Sequence, residues 1–293
     1  MASPEILILL EQNPPLLTAV VFVFVLLVGS FLNVVVYRLP VMLERSWQQE
    51  ARAILELDDE PTTDRFNLIV PASRCPGCGH QIRWYENIPV ISWLALRGKC
   101  SECGSKISKR YPSIEICAAL MSAAVAHWIG YEPALVPMLI ASWVLLALAL
   151  IDFDTMLLPD QLALPLLGAG LLAALLGLTN TTLNVADFGA VFGYLALWAV
   201  YWLFKLLTGK EGMGYGDFKL LAALGAWMGW QMLPLIILLS SMVGALVGVA
   251  LIASRAIQRN QGIPFGPYLA AAGWIAMIWG ELLVTHYLQL FKH

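Results

Sequence analysis

The chain has 293 residues, of which 59% are hydrophobic and 13% charged, with a mean hydropathy of +0.74 and a formal net charge of −3. Those proportions exclude an ordinary soluble domain and point to a protein immersed in lipid. On a chain that is mostly lipid-facing, so small a net charge gives no basis for a nucleic-acid partner; eleven of the seventeen Lys and Arg residues fall between Arg38 and Arg110.

A transmembrane helix needs roughly twenty apolar residues. The first such run, 16–37, has no basic residue in front of it and ends at Arg38 without a small-residue cleavage site. An uncleaved span is therefore expected, not a secretory signal. A polar segment, 38–112, follows. Its first part, 41–57, reads as an amphipathic helix lying in water or on headgroups, and an acidic link, 58–64, comes after it. Further spans are expected at 113–130, 134–152, 161–179, 185–207, 217–233, 235–254 and 266–288, which makes eight. The expected fold is an all-α polytopic membrane protein with a small cytoplasmic metal-binding module between the first and second spans. Three regions are expected: the first helix (1–37), the polar segment (38–112) and a seven-helix membrane domain (113–293).

Orientation follows from the basic residues. If 38–112 is cytoplasmic, alternate connections bring Lys205, Lys210, Lys219, Arg255 and Arg259 to the same side and leave only Lys292 outside, with both termini outside. Asp152, Asp154, Asp160 and Asp217 then all fall at cytoplasmic helix ends. Gly189 with Gly193, Gly225 with Gly229, and Gly244 with Gly248 have the spacing that lets helices approach closely in a membrane.

Cys75-Pro76-Gly77-Cys78 and Cys100-Ser101-Glu102-Cys103 form two C-x-x-C pairs with 21 residues between them. Each pair suits a tight turn presenting two thiolates, and four thiolates satisfy tetrahedral Zn²⁺ at zinc-ribbon spacing. Two disulfides are the competing reading, disfavoured on a reducing cytosolic face. A four-cysteine site has no open coordination position, so its zinc would be structural. Cys117 is expected to be packed inside its span, and His127 to be an interior histidine. His80 could replace a ligand, but four cysteines already complete the set.

Ionisable groups at a membrane boundary are costly and mark function. Asp217 follows two glycines in Gly214-Tyr215-Gly216-Asp217, where a helix begins and a carboxylate suits the positive end of the dipole. Asp152 and Asp154 end an apolar run, and Asp160 is suited to cap the next helix. Two carboxylates sharing one proton can hydrolyse a peptide, one activating water and the other protonating the carbonyl. Asp217 with an acid of the Asp152–Asp154 cluster is a candidate pair, and on a continuing helix Asp152 and Asp154 would point apart, so only one of them can serve. Lys219 could tune that site or mark the boundary, and Glu115 could serve as an accessory acid. A proton-coupled transporter and a non-catalytic zinc-ribbon adaptor are rival readings. Against the first, the acids cluster at one face and no inverted repeat is visible.

The G-x-G-D run, Ile151-Asp152-Phe153-Asp154, Leu158-Pro159-Asp160, Gly29-Ser30-Phe31-Leu32-Asn33 before Arg38-Leu39-Pro40, the double C-x-x-C and Pro264-Phe265-Gly266-Pro267 together resemble the type IV prepilin peptidases over nearly the whole chain. The resemblance implies a bifunctional bacterial inner-membrane enzyme. Such an enzyme cuts the basic leader from prepilins and type II secretion pseudopilins after a glycine. It then methylates the new N-terminus, often phenylalanine, with S-adenosylmethionine. It further implies Asp152 and Asp217 as the catalytic acids, and Cys75, Cys78, Cys100 and Cys103 as zinc ligands. No nucleotide-binding fingerprint follows a strand in this chain, so the S-adenosylmethionine pocket has no sequence signal beyond the polar segment being its plausible vicinity. The acidic stretch Glu56, Asp58, Asp59 and Glu60 could attract a basic leader.

Overall fold

The computed structural model describes residues 4–57, 65–254 and 262–290. Asp58, Asp59, Glu60, Arg255, Arg259 and Lys292, which entered the expectations above, lie outside the described residues. Among those residues the regular structure is helical, apart from two isolated antiparallel bridges, Arg74 with Gln81 and Lys99 with Lys106. The chain forms two compact units, Met1–Tyr131 and Glu132–His293.

The first unit begins with a short apolar helix absent from the sequence reading, α1 (Pro4–Gln12). It leads into α2 (Pro14–Ile54), 41 residues without a break. The sequence reading ended the first span at residue 37 and began a separate helix at 41. The two are one helix, with Pro40 inside it. A proline removes one backbone bond and crowds the preceding turn, and packing outweighs that loss here. The buried stripe Val21, Val25, Leu32, Val36, Leu39, Leu43 runs at helical spacing straight past Pro40. At about 1.5 Å per residue the helix is about 60 Å long, twice the hydrocarbon thickness, so its second half must leave the bilayer.

A short helix, α3 (Ile91–Ala95), lies in the polar segment, and α4 (Arg110–Ile129) closes the unit along α2. The expected division at 112/113 falls at the start of α4, which belongs with α2. The two helices meet at Gly29, where an added Cβ would lie 2.7 Å from the Glu115 Cα. Asn33 seals the crossing, its amide donating to the carbonyls of Gly29 and Tyr111, each at 3.2 Å. Arg38 is buried, and its guanidinium donates to the carbonyls of Asn67 (2.9 Å) and Pro71 (2.6 Å), tying the following loop to α2. Cys117 and His127 depart from expectation, since both are exposed on α4. The buried stripe of α4 is Ile114, Ala118, Ala119, Ser122, Val125 and Ala126, and neither residue shares its face.

The second unit contains α5 (Leu135–Thr155), α6 (Asp160–Leu175), α7 (Leu183–Thr208), α8 (Tyr215–Met228), α9 (Leu233–Ala253) and α10 (Gly266–Leu290). Each of the eight expected spans thus overlaps a helix, but among the described residues six helices are long and apolar enough to cross a membrane. The shorter two, α6 and α8, have 16 and 14 residues. The brevity of α8 has a physical reason: Leu220 to Trp227 are buried without exception. A helix apolar all round and sheathed by protein has no lipid to span. It packs on α6, α7 and α10. At Gly189 and Gly225 a Cβ on either residue would fall on the other's carbonyl oxygen, and one at Gly193 would lie 2.6 Å from the Leu221 oxygen. Close helix approach through small residues, expected at these positions, is what they provide. Gly229 does something else, capping α8 at φ +80°. Trp227 donates from its indole N–H to the Leu166 carbonyl of α6 at 2.9 Å.

Candidate active site and metal centre

In the second unit α5 carries Asp152 in its last turn and α8 carries Asp217 in its first. Both side chains are buried, at 5% and 6% exposure. The turn that bears Asp217 and the Gly266 turn that contacts Asp152 both rest on Leu158. The two acids are therefore brought together from distant segments of the chain. Asp152 Oδ2 accepts the Gly266 N–H at 2.9 Å. Asp217 Oδ1 is buried with no hydrogen-bond partner among the described residues. A buried carboxylate oxygen without a donor costs about 1–3 kcal/mol, and such an orphan suits a group that exchanges protons with water or substrate.

Local chemistry explains the convergence. Met156, in the left-handed conformation at φ +55°, ends α5 and sends the chain to Leu158. Leu158 then sits beneath both glycine turns. A Cβ at Gly216 would lie 2.7 Å from the Leu158 Cβ, and one at Gly266 would lie 3.2 Å from its Cδ1. The bare α-carbon at 216 lets the first turn of α8 drop onto Leu158 and carries Asp217 inward.

Asp154 is on the exposed side of α5. Asp160 does not cap α6: Pro159 holds the N-cap position, and Asp160 pairs with Lys219, Nζ to Oδ1 at 2.6 Å and Oδ2 at 2.8 Å. An available cation outcompetes the backbone donors for that carboxylate. Lys219 thereby has its own counter-ion on α6. Glu115 belongs to the first unit, where its Oε2 accepts the Val90 N–H at 2.8 Å. Val90 is a β-branched residue at φ +59°, a conformation that needs such an anchor.

An aromatic cluster around the start of α8 went unread in the sequence. Tyr215 and Phe218 pack with Tyr201 and Tyr194 of α7, with ring centroids 5.2–5.7 Å apart. Lys205 donates to Glu211 at 2.8 Å and to the Tyr201 hydroxyl at 3.3 Å, holding the loop before Gly214. The seven-residue spacing of Tyr194 and Tyr201 was the available signal, one that an apolar helix offers many times over.

In the first unit the ligand atoms of Cys75, Cys78, Cys100 and Cys103 lie within 4.8 Å of one another. The Cys75–Cys103 and Cys78–Cys100 sulfurs are 3.8 and 4.0 Å apart, too far for disulfides at about 2.05 Å. A tetrahedral ion with Zn–S bonds of about 2.3 Å sets its sulfurs about 3.8 Å apart, so the donor set fits a tetrahedral metal. Two matching turns build it. The Cys75 N–H donates to the His80 carbonyl and the Cys100 N–H to the Ser105 carbonyl, both at 2.8 Å. Gly79 and Gly104 turn at φ +72° and +69°. Glu86, which the sequence did not mark, links the turns. Its carboxylate accepts the Ser101 hydroxyl (2.6 Å), the Arg83 N–H (2.9 Å) and contacts His80 Nε2 (3.1 Å). Those bonds, Ser101 first, hold its pKa down at about 2. His80 is committed to Glu86 and stands outside the ligand set. The Ser105 hydroxyl, followed by backbone N–H groups, holds the Cys75 thiol down at about 6. Against the pull of the His80 N–H, burial and three neighbouring sulfurs push Cys78 up to about 12. A cation among the four sulfurs would displace the remaining thiol protons and hold all four as thiolates.

The comparisons cover most of the chain. Residues 23–129 match the bacterial peptidase A24 N-terminal domain, and residues 138–249 match the type IV leader peptidase family. The chain is 57% identical over 283 residues to the prepilin leader peptidase/N-methyltransferase of Stutzerimonas stutzeri, covering 97% of this chain and 98% of the relative. It is 60% identical over 264 residues to the protein of that name from Pseudomonas aeruginosa (90% and 91% covered). It is 56% identical over 279 residues to that of Aeromonas hydrophila (95% and 96% covered). No solved structure matches. With a buried aspartate pair in one unit, a four-cysteine cluster in the other and relatives more than half identical over nearly its full length, the chain belongs to the type IV leader peptidase family.

Proposed function

We propose that this protein is a bacterial inner-membrane enzyme that cleaves the leader from type IV prepilins and type II secretion pseudopilins, then N-methylates the new N-terminus. The observation that carries the peptidase half is the burial of Asp152 and Asp217 together, one of them with an orphan oxygen. In this reading one carboxylate takes a proton from water as its oxygen attacks the scissile carbonyl, and the other protonates the carbonyl oxygen. Collapse of the tetrahedral intermediate breaks the C–N bond, and the leaving amine takes up a proton. Burial of both acids within the protein keeps bulk water away, which strengthens each of these interactions. Asp154, on the exposed side of α5, takes no part.

S-adenosylmethionine, when bound, supplies a sulfonium-activated methyl group to the freed amine. The four cysteines hold one Zn²⁺ whose coordination they close, so its role is to fold the segment and no step passes through it. The protein crosses the membrane several times, with the 38–112 segment, Lys205, Lys210, Lys219 and both aspartates toward the cytoplasm and both termini outside. A basic leader followed by an apolar helix then offers its junction at the depth of the dyad.

Asp152→Asn and Asp217→Asn, assayed on a prepilin in membranes, test this reading. Each should lower kcat at least about a thousandfold, the scale set by losing a group that acts in concert with a partner. Processing by both variants while Asp154→Asn is inert would reassign the site.

A further inference from the structure

Gly266 opens α10 against the Asp152 carboxylate, and its N–H donates to Asp152 Oδ2 in a buried bond of 2.9 Å. The first N–H groups of a helix have no partner within it, so this donor is available at no cost to α10. Pro267 has no N–H, so the first two residues of the helix offer a single donor, and it is spent on Asp152. A Cβ at position 266 would lie 2.6 Å from Oδ2 and 3.1 Å from Cγ of Asp152. Gly266 is not among the glycines at positive φ. The backbone does not require glycine there. The space does.

We propose that Gly266 is a positioning residue for proteolysis: its amide fixes Oδ2 of Asp152 as an acceptor, leaving Oδ1 as the oxygen presented to water, and its bare α-carbon makes room for that bond. The role rests on the dyad proposed above. A carboxylate's terminal torsion is broad and roughly two-fold, so burial alone does not decide which oxygen faces the reaction. The amide does. Leu158, touching the turns at both Gly216 and Gly266, keeps this fixed carboxylate in register with the turn that bears Asp217. Small misplacements at a reacting centre are costly in rate.

The test uses the full chain made by cell-free synthesis into nanodiscs, with residue 266 replaced by glycolate. That change turns the amide into an ester: it removes the N–H and also weakens the Phe265 carbonyl, which accepts the Tyr268 and Leu269 N–H groups at 3.1 Å, a loss that methyl transfer reports if it disturbs α10. Gly266→Ala is made alongside. Cleavage of a synthetic prepilin is followed as kcat and KM, and methyl transfer to a pre-cut pilin peptide reports on the rest of the protein. The ester should lower the cleavage kcat by about ten- to a hundredfold, the worth of a hydrogen bond to a charged group. KM and methyl transfer should stay unchanged, and Gly266→Ala should lose at least as much cleavage. Wild-type cleavage by the ester would overturn the proposal. So would a loss shared equally by cleavage and methyl transfer, which is the signature of a structural role. Normal cleavage by Asp152→Asn would instead remove the dyad and the positioning role with it, so the two failures are separately visible.

Discussion

Gly225→Ala is the sharpest test of how Asp217 is held. Its new methyl would land on the Gly189 carbonyl oxygen of α7, a backbone atom with no freedom to swing aside. Restoring an ordinary contact requires α7 and α8 to part by about 1.4 Å along the crossing, since van der Waals separations begin near 3.5 Å. Parting them also unseats Gly193 from Leu221 and loosens the Tyr194–Phe218 and Tyr201–Phe218 ring contacts. Overpacking a tight core costs about 1–3 kcal/mol, and a clash with backbone belongs at the upper end. At about 2–4 °C per kcal/mol for chains of this size, Tm should fall by about 6–12 °C. Cleavage activity should fall further, because α8 carries Asp217. The control is Gly244→Ala, where the added carbon would lie 3.3 Å from the edge of the Tyr268 ring and should shift Tm by no more than about 3 °C. Thermal unfolding in detergent, paired with prepilin cleavage, measures both. If Gly225→Ala stays within about 2 °C of wild type, or Gly244→Ala costs as much, the close crossing does not hold α8 in place.

Two further outcomes are expected. Cys78→Ser and Cys103→Ser should each reduce bound zinc from one per chain to none by elemental analysis and expose 65–109 to protease, while protein purified with full metal despite either change would exclude the four-thiolate site. Arg38→Met should cost about 2–4 kcal/mol, because the carbonyls of Asn67 and Pro71 lose a charged donor; faster proteolysis near residue 70 is the readout, and unchanged protection would remove Arg38 as the anchor of that loop.

Much of the fold could be read from apolar length, and the metal centre from cysteine spacing, because both are local in sequence. What failed was whatever depends on a neighbour. The first span was ended at 37, where the apolar run meets Arg38, since a change of polarity is local while the stripe that carries α2 on past Pro40 is confirmed only by α4 and the loop. Cys117 and His127 were expected inside because a nearly all-apolar helix carries no pattern to separate its lipid face from its protein face. Asp160 looked like a cap until Lys219, from another helix, claimed it. Glu86 carried no signal at all, because its role consists of partners contributed by both turns. The pairing of Asp152 with Asp217 came from recognising a motif. Neither residue's own surroundings in the sequence contain the other.

The unbroken 41-residue α2 has a consequence for how this family can vary in length. A helix is a screw, advancing about 100° per residue. One residue inserted between Val36 and Leu43 would turn Leu43 and everything beyond it by more than a quarter revolution away from the face that Val21 and Val25 occupy. Seven residues would restore the phase to within about 20°. The segment linking membrane to metal module can therefore lengthen in steps of two turns, but not by single residues.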